Sequence, residues 1–333
     1  MNIQTALLQG QQLLDDARVA APRLTAEVLL AHAIGCDRAW LYAHSIDELK
    51  ELWWIHYGRY LHERIKGKPT QYLTGRQEFY GREFRVTPDV LIPRPETEHC
   101  VEDALAVGGS RIVDIGTGSG AIGVTLALEL KVPVVCTDIS EAAVRVAAAN
   151  ARSLGAPVQC VVCDLGSALG SGAFDLVVCN PPYIPESDRA SIQREVRDHE
   201  PHVALFGGPT GVEIYRRLIP DAARLLTPGG HLVMEIGWKE AENVSAMLVS
   251  CHKGSLNNSL VGRAPGPRPT PPSALSNQRP GQGSGADEGV RPTATLHANF
   301  RDATLGAWAD TWANVEIKPD LAGIPRVITA RRR

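Results

Sequence analysis

Arg111-Ile112-Val113-Asp114-Ile115-Gly116-Thr117-Gly118-Ser119-Gly120, running on into Ala121 to Leu130, is the stretch that decides the fold. Arg111 to Ile115 reads as a short buried strand, and Ala121 to Leu130 as a helical run. Between them lies a glycine loop. Glycines let a backbone approach a ligand closely, and the N-terminus of the following helix offers free N–H groups. Further along the chain the pattern repeats. Val132 to Thr137 is the next strand, and Ser140 to Leu154 the next helix, with Ser140 as N-cap. Val158 to Cys163 and Phe174 to Cys179 are strands, Gly211 to Leu226 is helical, and Pro228-Gly229-Gly230 turns into the strand His231 to Ile236. Two last strands cover Ala313 to Ile317 and Arg326 to Ala330. Strands separated by helices predict a parallel, doubly wound α/β sheet.

Before this unit, residues 1–72 read as a small helical domain. Ile3, Leu7 and Leu14 share one helix face, Leu24 to Ile34 is a second apolar-periodic run ending at Gly35, and Leu49 to Ile65 a third. Residues 73–95 read as a hairpin and linker. Phe79 to Val86 has Gly81 in its turn, and Pro88, Pro93 and Pro95 then exclude a regular helix. The sheet domain takes 96–333. Within it, 252–311 breaks the pattern, because residues 261–292 hold seven prolines and six glycines and few large apolar side chains. Such a composition cannot form a core, which predicts a disordered, dispensable insert.

Of 333 residues, 34 are Lys or Arg and 37 Asp or Glu, for a net charge of −3, so no basic bias suits a protein that coats nucleic acid. No run of about 18 apolar residues is present, and the start at Met1 lacks the pattern of a secretory signal. The seven cysteines are scattered and sit mostly in apolar runs, as expected of reduced thiols in a cytoplasmic protein. Cys160 and Cys163 have metal-ligand spacing but no second pair. On one strand they face opposite ways, so they read as buried strand cysteines, and no metal site is expected.

Two constellations carry chemistry. Asp138 ends the strand after the glycine loop, where an acid can accept hydrogen bonds from both hydroxyls of a ribose. Gly118-x-Gly120-x-x-Gly123 satisfies the dinucleotide fingerprint, so the loop alone fits a nicotinamide cofactor as well as S-adenosylmethionine. The second constellation is Asn180-Pro181-Pro182-Tyr183 at the carboxyl end of the strand Phe174 to Cys179, the edge where open α/β sheets bind ligands. Two prolines fix two φ angles and remove two N–H donors. What remains is a rigid set of acceptors, the Asn180 side-chain oxygen and the following carbonyl. They suit the two hydrogens of a planar NH₂ group, with the Tyr183 ring to pack beside it. No ionisable base lies in the loop, which points to catalysis by positioning.

Glycine loop, ribose acid and Asn-Pro-Pro-Tyr together resemble the S-adenosylmethionine-dependent methyltransferases of amino groups. Lys68 to Gly75, Glu78 to Gly81, Leu91 to Glu98, Glu200-Pro201 with Ala204-Leu205, and Asp320 to Val327 resemble the HemK/PrmC family. That resemblance implies a Rossmann-like class I methyltransferase with a seven-stranded, mostly parallel sheet and a small N-terminal helical domain that recognises the substrate. It implies S-adenosylmethionine as cofactor. The reaction it implies is methylation of the side-chain amide nitrogen of the glutamine in the Gly-Gly-Gln motif of class 1 peptide-chain release factors. Carried over by position, Gly116, Thr117, Gly118, Ser119, Gly120 and Asp138 hold the cofactor. Asp164 and Leu165 lie by its adenine, and Leu165 stands where relatives are often aromatic. Asn180 would also touch the cofactor, at its junction with the substrate. Asn180, Pro181 and Tyr183 would be catalytic, and Asn180 to Tyr183 would hold the glutamine. Arg94, Glu96 and Glu98 would shape the methionine end or the substrate mouth, or form a surface ion cluster. A nucleic-acid adenine methyltransferase or a non-catalytic S-adenosylmethionine-binding module are the alternatives. Neither stable nucleic-acid binding nor a membrane is expected.

Overall fold

The computed structural model describes residues 1–249 and 311–333. The insert read over 252–311 therefore lies, but for Thr311, outside the described residues. Five helices open the chain: α1 (Ile3–Asp16), α2 (Pro22–Ile34), α3 (Arg38–Ala43), α4 (Glu51–Ile65) and α5 (Thr70–Thr74). Asn2 and Asp37 cap α1 and α3 by accepting from Thr5 N and Trp40 N. Ile3, Leu14, Leu29, Leu30, Tyr57 and Leu61 bury a core of their own.

A hairpin follows, β1 (Arg76–Phe79) and β2 (Arg82–Arg85). It is not a free linker. Phe79 and Phe84 are buried in a core of the following sheet. Asn150 ties it down, accepting from Arg85 N at 2.8 Å and donating to Arg85 O at 3.0 Å and to Ser119 O in the glycine loop at 2.8 Å. The proline-rich stretch then ends in a 3-10 turn, Pro95–Thr97.

The remaining elements are α6 (Glu98–Val107), β3 (Ile112–Ile115), α7 (Ala121–Leu130), β4 (Val134–Asp138), α8 (Glu141–Leu154), β5 (Val158–Val162), β6 (Phe174–Cys179), β7 (Ile184–Pro185), α9 (Arg194–His199), β8 (Phe206–Gly208), α10 (Glu213–Leu225), β9 (Leu226–Glu235), α11 (Ala241–Leu248), β10 (Trp312–Pro319) and β11 (Pro325–Arg332). Seven strands form one sheet in the order β10-β11-β9-β6-β3-β4-β5. β9, β6, β3, β4 and β5 are parallel, and β11 alone runs against its neighbours. This is the mostly parallel, doubly wound sheet expected from the sequence. Alternate residues serve opposite faces. Val113, Ile115, Val177 and Cys179 pack with α10 and α11, whereas Ile112, Leu176 and Val178 pack with α6 and α7. The chain order reverses between β3 and β6, and their carboxyl ends flank the crevice where such sheets take ligands.

Pro228-Gly229-Gly230 lies inside β9, not before it, and the β6–β9 register is irregular between Phe174 and Leu176. Cys160 and Cys163 are half-buried, not buried, because β5 is the sheet's edge strand and Cys163 lies just past its end; both are free thiols. Among the described residues no helix is long and apolar enough to cross a membrane.

Candidate active site

The glycine loop leaves β3 with positive φ at Gly116 (72°), Gly118 (55°) and Gly120 (85°), angles that L side chains rarely adopt. A Cβ at Gly116 or Gly118 would meet nothing within 4 Å, so the loop borders open space. Asp114, wholly buried beneath it, accepts from Thr117 Oγ1 at 2.6 Å and Gly123 N at 3.0 Å. Burial pushes its carboxyl up to about 6, against the pull of those two donors. Ser119 is buried with its carbonyl on Asn150.

Asp138 ends β4. Its two oxygens accept from Gly118 N and Ser140 N, each at 2.9 Å. Burial raises its pKa, and these N–H groups lower it. The Ile139 N–H also bears on it, and of a carboxylate's roughly four acceptor positions at least one remains for a ligand. Ile139, the next residue, stands 57% exposed, an apolar surface beside the acid that the sequence reading did not single out. Asp164 is exposed and ion-paired with Arg217 of α10. Leu165 has positive φ and packs against the core under α10.

Asn180 to Tyr183 follow β6 next to β3. The loop is clamped where side chains cannot fit. A Cβ at Gly207 would lie 2.5 Å from Pro182 O, and one at Gly211, whose φ is 81°, 2.4 Å from Tyr183 O. β7 and β8 pair just beyond the loop, with Ile184 N donating to Leu205 O. Asn180, Pro181 and Tyr183 line a cavity of about 280 Å³. A second cavity of about 460 Å³ shares Arg94, Tyr183 and Glu235 with it and reaches Pro69 and Gln71 beside the helical region.

Two residues with no role assigned from the sequence complete this site. Glu235, at the end of β9, is 3% exposed and accepts from Thr97 Oγ1 at 2.7 Å and Tyr183 Oη at 3.2 Å. Thr97 also accepts from Asn180 Nδ2 at 3.1 Å. Burial raises the Glu235 pKa from its ordinary value, against the pull of Thr97, Tyr183 and Arg326. An acid inside the apolar run Leu232-Val233-Met234-Glu235-Ile236 was the available signal, since an acid is rarely buried without partners. Glu200 of the Glu-Pro pair is also buried. It pairs with Arg94 and accepts from Ile92 N at 3.2 Å, fixing the proline-rich segment that carries Thr97. Arg94 and Glu96 thus face the larger cavity, whereas Glu98 turns to the hairpin and accepts from Tyr80 N at 2.9 Å.

The PrmC N-terminal domain family matches residues 5–75, and the methyltransferase small domain family matches 99–198. The release factor glutamine methyltransferase of Koribacter versatilis is 37% identical over 338 residues, covering 100% of this chain and 99% of that protein. The chain belongs to the release factor glutamine methyltransferase family. The relative from Nitratidesulfovibrio vulgaris is 39% identical over 74% of this chain and 85% of its own length. That from Geobacter sulfurreducens is 43% identical over 68% and 80% respectively. In this family member the glycine loop, Asp138 and the Asn180 loop occupy three adjoining strand ends of one sheet.

Proposed function

We propose that this chain methylates the side-chain amide nitrogen (N5) of the glutamine in the Gly-Gly-Gln motif of class 1 peptide-chain release factors, in the cytoplasm, using S-adenosylmethionine. The observation that carries the reading is Asn180. Its Nδ2 is engaged by Thr97, no donor among the described residues reaches its Oδ1, and it lines the smaller cavity. Family membership supports the same substrate.

The residues present fit the cofactor. Gly116 and Gly118 border open space at positive φ, the remaining acceptor capacity of Asp138 suits a ribose, and exposed Ile139 offers apolar surface for adenine. When bound, S-adenosylmethionine supplies an electrophilic methyl group on a sulfonium. An amide nitrogen is a poor nucleophile because its lone pair is delocalised into the carbonyl. Asn180 Oδ1 and the Pro181 carbonyl accept the two amide hydrogens and so turn the lone pair towards the methyl group. The Tyr183 ring packs beside the amide, with Pro182 keeping the loop rigid. Near-attack placement of this kind contributes up to ~7–11 kcal/mol. Pro69 and Gln71, at the end of the helical region, line the outer cavity, which supports a role for that region in gripping a protein substrate.

Incubation with methyl-labelled S-adenosylmethionine and either a class 1 release factor, its glutamine-to-alanine variant or DNA tests the reading. Label is expected on the intact release factor alone. Label on DNA adenine would favour a nucleic-acid enzyme, and no label would favour a binding module.

A further inference from the structure

We propose that Thr97 and Glu235 are positioning residues that fix which way the Asn180 side-chain amide points. The inference rests on the reading that Asn180 holds the substrate amide. An asparagine amide is nearly isosteric about its oxygen and NH₂ group. Only one orientation accepts a hydrogen from a substrate NH₂; the flipped one sets donor against donor. The Asn180 loop alone contains nothing to choose between them.

The choice is made outside the loop. In its ionised form the Glu235 carboxylate can only accept, and its two oxygens take hydrogen bonds from Thr97 Oγ1 and Tyr183 Oη. A threonine hydroxyl has one hydrogen. With that hydrogen committed to Glu235 at 2.7 Å, Thr97 Oγ1 can only accept from Asn180, and the atom 3.1 Å away is therefore Nδ2. Oδ1 is left for the cavity. Flipping Asn180 would require Thr97 to withdraw its hydrogen from a buried carboxylate, leaving that oxygen unpaired. Thr97 is itself held rigidly. It ends the 3-10 turn after Pro93 and Pro95, its N–H donates to Arg94 O at 3.1 Å, and Arg94 is paired with Glu200. One carboxylate thus orders both ends of the loop, Asn180 through Thr97 and Tyr183 directly.

Thr97→Val and Thr97→Ser in the full chain test this. Three quantities are read: kcat and KM with release factor, the dissociation constant for S-adenosylmethionine, and the hydrogen exchange of the Asn180 side-chain NH₂ in ¹⁵N-labelled protein. That signal is assigned by its loss in Asn180→Ala. Thr97→Val should lower kcat about tenfold or more, leave cofactor affinity unchanged, and speed exchange of the Asn180 NH₂. Thr97→Ser, which keeps the hydroxyl, should restore most of the lost kcat and slow the exchange again. In an Asn180→Ala background, Thr97→Val should cost nothing further. A wild-type kcat in Thr97→Val, or an equal loss in the Asn180→Ala background, would overturn the proposal. Absence of release factor methylation by the unaltered chain would instead count against the substrate reading, and the exchange measurement would still decide the orientation.

Discussion

The proposed reaction rests most on Asn180, whose Nδ2 is held by Thr97 at 3.1 Å. Asn180→Ala is expected to lower kcat by about 10²–10³-fold, as when one preorganised group at a reacting centre is removed, with little change in cofactor affinity. Kinetics at saturating substrate, beside calorimetric cofactor binding, check this. Asp114 gives a prediction in stability. Burial raises its pKa to about 6, above its value in the unfolded chain, so the folded state binds this proton more tightly. Its contribution is full below about pH 4 and is lost as pH rises through about 6. The unfolding free energy of the natural chain should therefore fall, relative to Asp114→Asn, by up to about 3 kcal/mol between pH 4 and 7. Denaturant titrations across that range test it; parallel curves would contradict it. The Asn-Pro-Pro-Tyr loop and Asp138 were legible in the sequence because local spacing places them at strand ends. Thr97 and Glu235 were not, because they meet Asn180 and Tyr183 only through contacts 83 and 52 residues apart.

Elements specified by their own pattern were legible, two of them to the residue and the others with shifted ends. α7 and β6 have the bounds read from the sequence, and Ser140 caps α8 as expected, accepting from Ala143 N at 3.2 Å. Short elements were not. β7 and β8 hold two and three residues, and each forms only because the other is present. α9, six residues long, likewise depends on what it packs against. This is the region that clamps the Asn180 loop, so glycines there are structural necessities. Gly211→Ala would place a methyl group 2.4 Å from Tyr183 O at a φ of 81°. It should cost about 1–3 kcal/mol of stability and displace the loop. Thermal unfolding and kcat should fall together, whereas a substitution that lowers neither would show that the clamp has slack.

At the scale of the whole molecule, the helical region meets the sheet region through a partly buried ion pair. Arg64 of α4 donates to Glu195 of α9 at 2.6 Å, and its side chain is 9% exposed. α9 supplies Glu195 and Val196 to the outer cavity, so the pair links the helical region to that cavity. The sequence could not show this, since the partners are 131 residues apart and neither lies in a recognisable motif. Arg64→Met keeps the aliphatic stem but loses the pair, a change of about 1 kcal/mol. KM for release factor should rise about fivefold, with kcat and cofactor affinity unchanged. An unaltered KM would place recognition elsewhere. The central claim, that the Asn180 loop directs a methyl group to a glutamine side chain, is tested most directly by fragmentation mass spectrometry of release factor treated with the full chain and S-adenosylmethionine. The account predicts a single methyl group on the side-chain nitrogen of the glutamine in the Gly-Gly-Gln motif. A methyl group on any other residue, or an unmodified release factor, would contradict it.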